Sequence, residues 1–286
     1  MTLLRLSKLH ATGNDFIVLT ALDGSVGAPD ALTVSALCDR HRGIGADGFV
    51  TLGPGTDGAD CTMTLRNADG GPAEMSGNGV RCLAHAAARA GLGGSGTLSV
   101  DTMTGRRSVK TLRDADGEVV AAEVDMGAVT FDPARIPLAA GSPFDLEVDA
   151  AGVVYRGDAA GMGNPHFVVF VTDPEDVPVA VHGALIEHDP RFPSRTNVEF
   201  VAVTGGDEVR LRVWERGVGE TLSCGTGSCA AAAVAHRRGL IGARSTVHVP
   251  GGSLTVQIGE TIVLGGPVKH VFDVDIDTAR LRGASA

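Results

Sequence analysis

The sequence predicts an α+β fold built from two homologous halves related by a pseudo-twofold axis. Each half is expected to be a curved, mostly antiparallel sheet wrapped around a central helix. Three observations predict this: an internal repeat, many short runs with the alternation typical of strands, and one alanine-rich helical segment in each half. The 286 residues are enough for two such halves.

The internal repeat appears when "SGNGVRCLAHAAARAGL" (76–92) is placed on "CGTGSCAAAAVAHRRGL" (224–240). Seven of the 17 positions are identical, at an offset of 148 residues. Upstream, "ATGNDFIVL" (11–19) matches "GMGNPHFVV" (161–169) at an offset of 150. Two ordered matches at nearly one offset indicate a duplication rather than chance.

The duplication sets the expected domain boundaries. Residues 1–124 form the N-terminal half, with 270–286 packing back on it, and residues 125–269 form the C-terminal half. The Pro-rich stretch 130–145 is placed in the region between the halves. The active site is expected in the cleft between them.

The strands are predicted from short apolar or alternating runs. The first half offers "FIVL", "GFVTL", "CTMTLR", "TLSV", "RSVKTL" and "VVAAEVDM". The second offers "FDLEVD", "HFVVFV", "NVEFVAV", "EVRLRVWE", "STVHVP", "LTVQI" and "TIVLGG".

One strong helix is predicted in each half, at 78–90 and at 226–238. Both segments are apolar on nearly every face, which is typical of a buried helix. Gly91 and Gly239 follow them as expected C-terminal caps. A weaker helix is predicted over 30–41.

Composition excludes several classes of protein. The net charge of −10 and the lack of a basic run argue against nucleic-acid binding. No signal peptide and no membrane span are expected, because the N-terminus lacks an apolar core and no run of 18 apolar residues occurs. The five cysteines form an odd, irregular set, so we expect a cytoplasmic protein without a disulfide framework.

Cofactor and metal sites are not expected. The stretch "GIGADG" (43–48) has the spacing of a dinucleotide fingerprint, but a strand-like run follows it where a helix is required. The nine histidines show no H-E-x-x-H pattern and no paired-cysteine spacing. Cys38, Cys61, Cys82 and Cys229 are interpreted as small buried residues.

Both strong helices begin after a glycine-rich elbow of the pattern [SC]-G-[NT]-G. Glycines let a ligand approach the backbone, and the first N–H groups of a helix favour an anion such as a carboxylate. Ser76 fits either an ordinary N-cap or a proton-handling group. Cys224 is less typical of a cap, and the helix terminus is expected to favour its thiolate. Such elbows, each with a proton-handling group, suit inversion at an α-carbon.

The motifs resemble those of the diaminopimelate epimerase family. The matching pieces are "KLHATGNDFIVL", "DRHRGIGADG", "RNADGGPAEMSGNGVRC", "GNPHFVVF", "RTNVEF" and "ERGVGETLSCGTGSCAAA", in the family's order over residues 8–233. The resemblance implies cofactor-independent interconversion of LL- and meso-diaminopimelate, for lysine and peptidoglycan precursors. It also implies a homodimer and a small diamino-dicarboxylate substrate, with no metal, nucleic acid or membrane partner.

The resemblance also implies residue roles. Cys224 matches one catalytic cysteine, while His166 and Glu215 match the pair that tunes the cysteines. In the family, backbone amides at the elbows hold the reacting carboxylate. The matching positions in this chain are Gly77, Asn78, Gly225 and Thr226. The family's other polar substrate-binding residues match Asn14, Asn67, Asn164, Asn197, Glu215 and Arg216, so Glu215 has both roles.

One position departs from the family pattern. The family's other catalytic cysteine falls on Ser76, and the neighbouring motifs, including Cys82, fix that alignment. A serine hydroxyl ionises far less readily than a thiol with its pKa of about 8.5. Three interpretations follow: a natural epimerase with a slow or assisted serine-facing step, a cysteine-to-serine variant, or a divergent relative.

The leading hypothesis is a diaminopimelate epimerase modified by Ser76. The alternative is an epimerase-like lyase, isomerase or other amino-acid racemase that uses Cys224 alone. A third hypothesis, a non-catalytic ligand-binding protein, is disfavoured by the presence of both Cys224 and Glu215.

Overall fold

The computed structural model describes residues 3–24, 26–73, 75–139 and 141–278. The chain divides into two compact units, Met1–Val124 with Gly266–Ala286, and Asp125–Gly265. Both units are dominated by strands, with few helices, which confirms the predicted α+β class. None of the helices in the described residues is long and apolar enough to cross a membrane.

The first unit contains two helices and eight strands among its described residues. They are β1 (Leu3–Ala11), β2 (Asn14–Thr20), α1 (Ala31–Cys38), β3 (Gly48–Pro54), β4 (Cys61–Asn67), α2 (Gly77–Arg89), β5 (Thr97–Thr102), β6 (Gly105–Arg113), β7 (Val119–Asp125) and β17 (Lys269–Asp277). The second unit contains β8 (Leu146–Ala150), β9 (Val153–Gly161), β10 (Pro165–Phe170), α3 (Val179–Glu187), β11 (Asn197–Gly205), β12 (Glu208–Glu215), β13 (Gly219–Thr221), α4 (Gly225–Arg237), β14 (Arg244–Val249), β15 (Gly252–Ile258) and β16 (Ile262–Pro267).

The two units share one order of strand pairing. In the first, β17, β1 and β2 pair antiparallel, β2 runs parallel to β3, β3 and β4 pair antiparallel, β4 runs parallel to β5, and β5, β6 and β7 pair antiparallel. In the second, β8 to β12, β14, β15 and β16 repeat this sequence of steps, and β13 is added as a short hairpin on β12.

Helices make the crossovers at the parallel steps, as parallel pairing requires. Helices α1 and α2 follow β2 and β4, helix α3 comes between β10 and β11, and helix α4 comes between β12 and β14, after the hairpin strand β13. Each unit therefore consists of a mostly antiparallel sheet with one short and one long crossover helix.

The long helices α2 and α4 form the centre of each unit. Every residue from Gly77 to Ala87 is buried, and so is every residue from Gly225 to Ala235. Helix α2 contacts β1, β2, β3 and β6, and helix α4 contacts β9, β10, β11, β12 and β15. The predicted arrangement of a sheet around a central helix is confirmed in both units.

The helix ends differ from the prediction by small, explicable amounts. Helices α2 and α4 each begin and end one residue earlier than predicted. Their first helical residues are the elbow glycines Gly77 and Gly225. Gly91 and Gly239 have φ angles of +87° and +71°, as C-terminal cap glycines do. Helix α1 ends at Cys38 rather than at residue 41, because Asp39 accepts hydrogen bonds from the backbone of His41 and Arg42.

Helix α3 has no counterpart among the predicted helices. Its sequence "VAVHGALIE" contains valines and a central glycine, both weak helix formers. The glycine is required by packing, because a methyl group on Gly183 would lie 2.5 Å from Cβ of Trp214 on β12. Strands β1, β9, β13 and β17 were also not predicted.

Candidate active site

The two elbow residues are the N-caps of the central helices. Ser76 has an extended backbone, and its Oγ accepts the N–H of Gly79 at 3.0 Å. Cys224 has the same extended backbone, and its Sγ accepts the N–H of Gly227 at 3.4 Å. Gly77 and Gly225 occupy the first helical positions, where N–H groups point out of the helix end. The two residues are therefore equivalent in local geometry.

Ionisable side chains surround Cys224 within the second unit. Glu215, at the end of β12, accepts a hydrogen bond from the hydroxyl of Thr221, and its charge raises the pKa of the Cys224 thiol. Thr226 places its Oγ1 3.5 Å from Cys224 Sγ. The thiol itself is buried, with 4% of its residue surface exposed.

The structure corrects the expectation that the helix terminus gives a thiolate at Cys224. Burial raises the pKa of the Cys224 thiol well above its ordinary value, and the charges of Glu215 and Glu199 raise this pKa further. The hydrogen bonds from Thr226 and Gly227 act in the opposite direction but are outweighed. Cys224 is therefore a thiol in this state, suited to donating a proton.

A buried histidine–glutamate pair lies in the same unit. His166 Nδ1 lies 2.7 Å from Glu199 Oε1, and both side chains are fully buried. The other ring nitrogen of His166 lies 2.8 Å from Oδ1 of Asn164, which fixes the ring from both sides. Burial raises the pKa of Glu199, and His166 partly opposes this effect.

The side chain of Asn197 contacts the backbone of Arg216 and makes its hydrogen bonds to main-chain groups. Its Nδ2 donates to the carbonyl of Pro165 at 2.7 Å, and its Oδ1 accepts the N–H of Arg216 at 2.9 Å. Asn197 therefore orients the start of the loop after β12. The guanidinium of Arg216 makes a 3.2 Å contact to the carbonyl of Ser194.

Asparagines line the elbow of the first unit. Asn78 Nδ2 donates to Asn14 Oδ1 at 3.0 Å, and Asn14 Nδ2 donates to Asp47 at 2.7 Å. Arg81, fully buried, donates to Asn78 Oδ1 at 2.6 Å. Asn67 lies at the exposed end of β4. This unit thus presents amides beside Ser76.

The strand registers identify which residues of the first unit match the ionisable group around Cys224. Phe16 pairs with Gly48 as His166 pairs with Asn197, so His166 corresponds to Phe16 and Glu199 to Val50. Glu215, which ends β12, corresponds to Asn67, which ends β4. At these three positions the first unit therefore carries Phe16, Val50 and Asn67 in place of ionisable side chains.

The remaining cysteines are buried, as predicted, and all five are free. Burial raises the pKa of Cys38 to about 11 and the pKa values of Cys61 and Cys82 to about 12. Among the described residues, no group of three or more metal-binding side chains is placed to hold an ion. The "GIGADG" stretch leads into strand β3, so it does not form a dinucleotide-binding turn.

Sequence comparison places this geometry in a known family. A family model described as diaminopimelate epimerase matches residues 6–131 and 159–271, which include both elbows. The chain belongs to the diaminopimelate epimerase family.

Individual relatives agree with this membership. The diaminopimelate epimerase of Pelotomaculum thermopropionicum is 41% identical over 272 residues, covering 93% of this chain and 96% of the relative. The diaminopimelate epimerase of Burkholderia pseudomallei is 43% identical over 289 residues, covering 94% and 97%.

Solved structures share the fold at low sequence identity. A hydroxyproline epimerase from Agrobacterium vitis, with bound trans-4-hydroxy-L-proline, has a TM-score of 0.75 at 17% identity and covers 96% of this chain and 92% of its own. A methylitaconate-delta-isomerase has a TM-score of 0.65 at 13% identity, with 100% and 98% covered. These likenesses show the architecture only.

Two groups at the elbows were missed by sequence reasoning. Glu199 is a carboxylate flanked by the apolar residues Val198 and Phe200 in the buried part of β11, and this could have marked it. Asp47 lies in the "GIGADG" stretch, which was considered only as a nucleotide motif. It holds Asn14 and forms an ion pair with Arg40 at 2.6 Å.

Proposed function

We propose that this protein is a cofactor-independent epimerase that interconverts LL- and meso-diaminopimelate. One observation supports it most directly: Ser76 and Cys224 cap equivalent helices with the same backbone geometry, in a chain of the diaminopimelate epimerase family. In the reaction, one cap group accepts the α-proton as that C–H bond breaks. The other cap group donates a proton to the opposite face of the carbanion.

Cys224 is the proton donor in this proposal. Its thiol is protonated at rest, because burial and nearby carboxylates disfavour the thiolate. The first-turn N–H groups of helices α2 and α4 bind the reacting carboxylate, since a helix N-terminus favours an anion. The substrate ammonium lies near Glu215, where its positive charge makes loss of the thiol proton easier.

We propose that Ser76 limits the rate. Its Oγ carries the cap hydrogen bond, but the equivalents of Glu215, Glu199 and His166 in its unit are uncharged. A thiol at position 76 would have Val50 and Asn67 at the two positions that Glu199 and Glu215 occupy around Cys224. The helix terminus would then favour its thiolate, which is a competent base.

The remaining substrate contacts follow from the family resemblance. Arg216 binds the distal carboxylate, and Asn67 and Asn164 bind the polar groups of the substrate. Asn14 and Asn78 hold the serine elbow, and Asn197 holds the loop of Arg216. The protein is proposed to act in the cytoplasm as a homodimer and without pyridoxal phosphate.

The test is α-proton exchange in deuterated water with each isomer, on the wild type, S76C, S76A and C224A. We expect S76C to raise interconversion by about 100-fold or more, because a general base contributes roughly 10²–10⁴-fold. C224A should lose activity. S76A removes both the hydroxyl and its cap hydrogen bond to Gly79, so a slower S76A with the wild-type melting temperature would indicate that the hydroxyl relays a proton.

Two results would change the proposal. Absence of exchange and of binding in both the wild type and S76C would overturn it. An elimination or isomerisation product formed by the wild type would instead favour one-sided chemistry through Cys224, which the presence of His166, Glu199 and Glu215 in the same unit also suits.

A further inference from the structure

The His166–Glu199 pair is a feature of one unit alone, although both units share their strand order. In the first unit the matching positions hold Phe16 and Val50, both buried. The sheet therefore folds with apolar residues at these positions. A buried polar pair costs more to bury than apolar residues of similar size, so fold stability does not account for it.

The hydrogen bonds of the pair determine where its proton lies. Asn164 presents a carbonyl oxygen to Nε2 of His166, so Nε2 donates. Nδ1 then either donates to the Glu199 carboxylate or accepts from the protonated carboxyl. One proton lies between the two residues in either state, and it can move without any other rearrangement.

Glu199 lies directly under the cysteine elbow. A methyl group on Gly227 would lie 2.7 Å from Glu199 Oε1 and 3.3 Å from Cys224 Sγ, so the carboxyl and the thiol lie against the same glycine. At the matching Gly79, the nearest atom is the methyl carbon of Met63 at 3.2 Å. Within the described residues, Glu199 Oε2 is buried without a hydrogen-bond partner.

We propose that Glu199 is a positioning residue that orients His166 and keeps Cys224 in its thiol form until substrate binds. The inference rests on the proposed function, because it assumes that Cys224 is a reacting group. In its carboxylate form, Glu199 acts on the thiol from beneath the first turn of α4, and the charge of Glu215 acts in the same direction. Arrival of a substrate ammonium would offset both charges and release the thiol proton to the carbanion.

The variant that tests this is E199Q, which keeps the size of the side chain. The amide can still donate to Nδ1 of His166, but it removes the charge and the shared proton. We expect the pH midpoint for alkylation of Cys224 by iodoacetamide, followed by mass spectrometry of its peptide, to fall by roughly one unit. The alkaline limb of the kcat/KM profile should move down with it. In the S76C background, where the serine-facing step no longer limits the rate, kcat should fall about 100-fold while KM changes by less than about twofold.

The matched control is D158N. Asp158 is also buried in the second unit, but it pairs with Arg238 at the C-terminal end of α4. D158N should lower the melting temperature and leave both pH profiles at the wild-type position. E199D, which retains the charge but shortens the side chain, should shift the alkylation midpoint in the same direction as E199Q and by less.

The outcomes separate this inference from the proposed function. A folded E199Q or E199D with the wild-type alkylation profile would overturn the role of Glu199, whatever the substrate. If E199Q does not fold, the alkylation profile of E199D tests the role of Glu199. A shifted alkylation profile with no exchange of diaminopimelate in any form would uphold Glu199 and refute the proposed substrate.

Discussion

Replacing Gly227 by alanine tests the close approach between Glu199 and the first turn of α4. The new methyl group would lie 2.7 Å from Glu199 Oε1, closer than carbon and oxygen can approach without movement. Glu199 cannot move freely, because it is buried and bonded to His166. Overpacking of this kind costs about 1–3 kcal/mol.

The equivalent change in the other unit provides the comparison. A methyl group on Gly79 would contact the methyl carbon of Met63 at 3.2 Å, and a methionine end can move aside. Contacts to the cap Cβ atoms are 3.3 Å in both units and cancel. Alanine is favoured over glycine in a helix by about 0.5–1 kcal/mol, so G79A should be neutral or slightly stabilising.

The expected result is a difference of about 2 kcal/mol between the two variants, with G227A the less stable. For a domain of this size each kcal/mol corresponds to roughly 2–4 °C in melting temperature. Urea unfolding and calorimetry measure it, and Cys224 alkylation reports on the elbow. Equal stabilities of G227A and G79A would refute the placement of Glu199 beneath Gly227.

Two further changes test other parts of the molecule. R216A should raise the Kd for diaminopimelate by about 10-fold or more, because it removes a charge-assisted hydrogen bond to the carboxylate. Calorimetric titration measures this Kd, and an unchanged affinity would exclude Arg216 from carboxylate binding. D273N tests the ion pair with Arg89, which holds the pKa of Asp273 well below its ordinary value. A depressed carboxyl pKa stabilises the fold above the unfolded pKa of about 3.9 and loses that effect as the pH falls. Wild-type stability should therefore decline more steeply than that of D273N below about pH 5, and parallel curves would contradict the assignment.

The sequence predicted the fold class because each half repeats one pattern of strands and one buried alanine-rich helix. It did not predict α3, whose valines and Gly183 lower helix propensity. The internal repeat could have revealed α3. Its first residue, Val179, is separated from Ala31, the first residue of α1, by the same offset that separates the starts of α2 and α4. Local helix propensity argues against a helix over these residues, whereas the repeat predicts one. The helix forms because its Gly183 packs closely against Trp214.

The elbows were predictable from the sequence, but their electrostatics were not. A cysteine at a helix N-terminus suggests a thiolate, yet burial and two carboxylates outweigh that effect at Cys224. One of those carboxylates, Glu199, lies in a different strand, and only the fold brings it under Gly227. Spacing along the chain identifies candidate groups, whereas their protonation depends on neighbours that are distant in sequence.

The pairing of β1 with β17 has a consequence for synthesis of the protein on the ribosome. Strand β1 pairs with β17, although the whole of the second unit is synthesised between them. At 5–20 residues per second, that edge of β1 waits on the order of ten to sixty seconds for its partner. An unpaired strand edge is open to pairing with other chains. The second unit is contiguous and can fold during this interval, so the first unit should be the more dependent on chaperones.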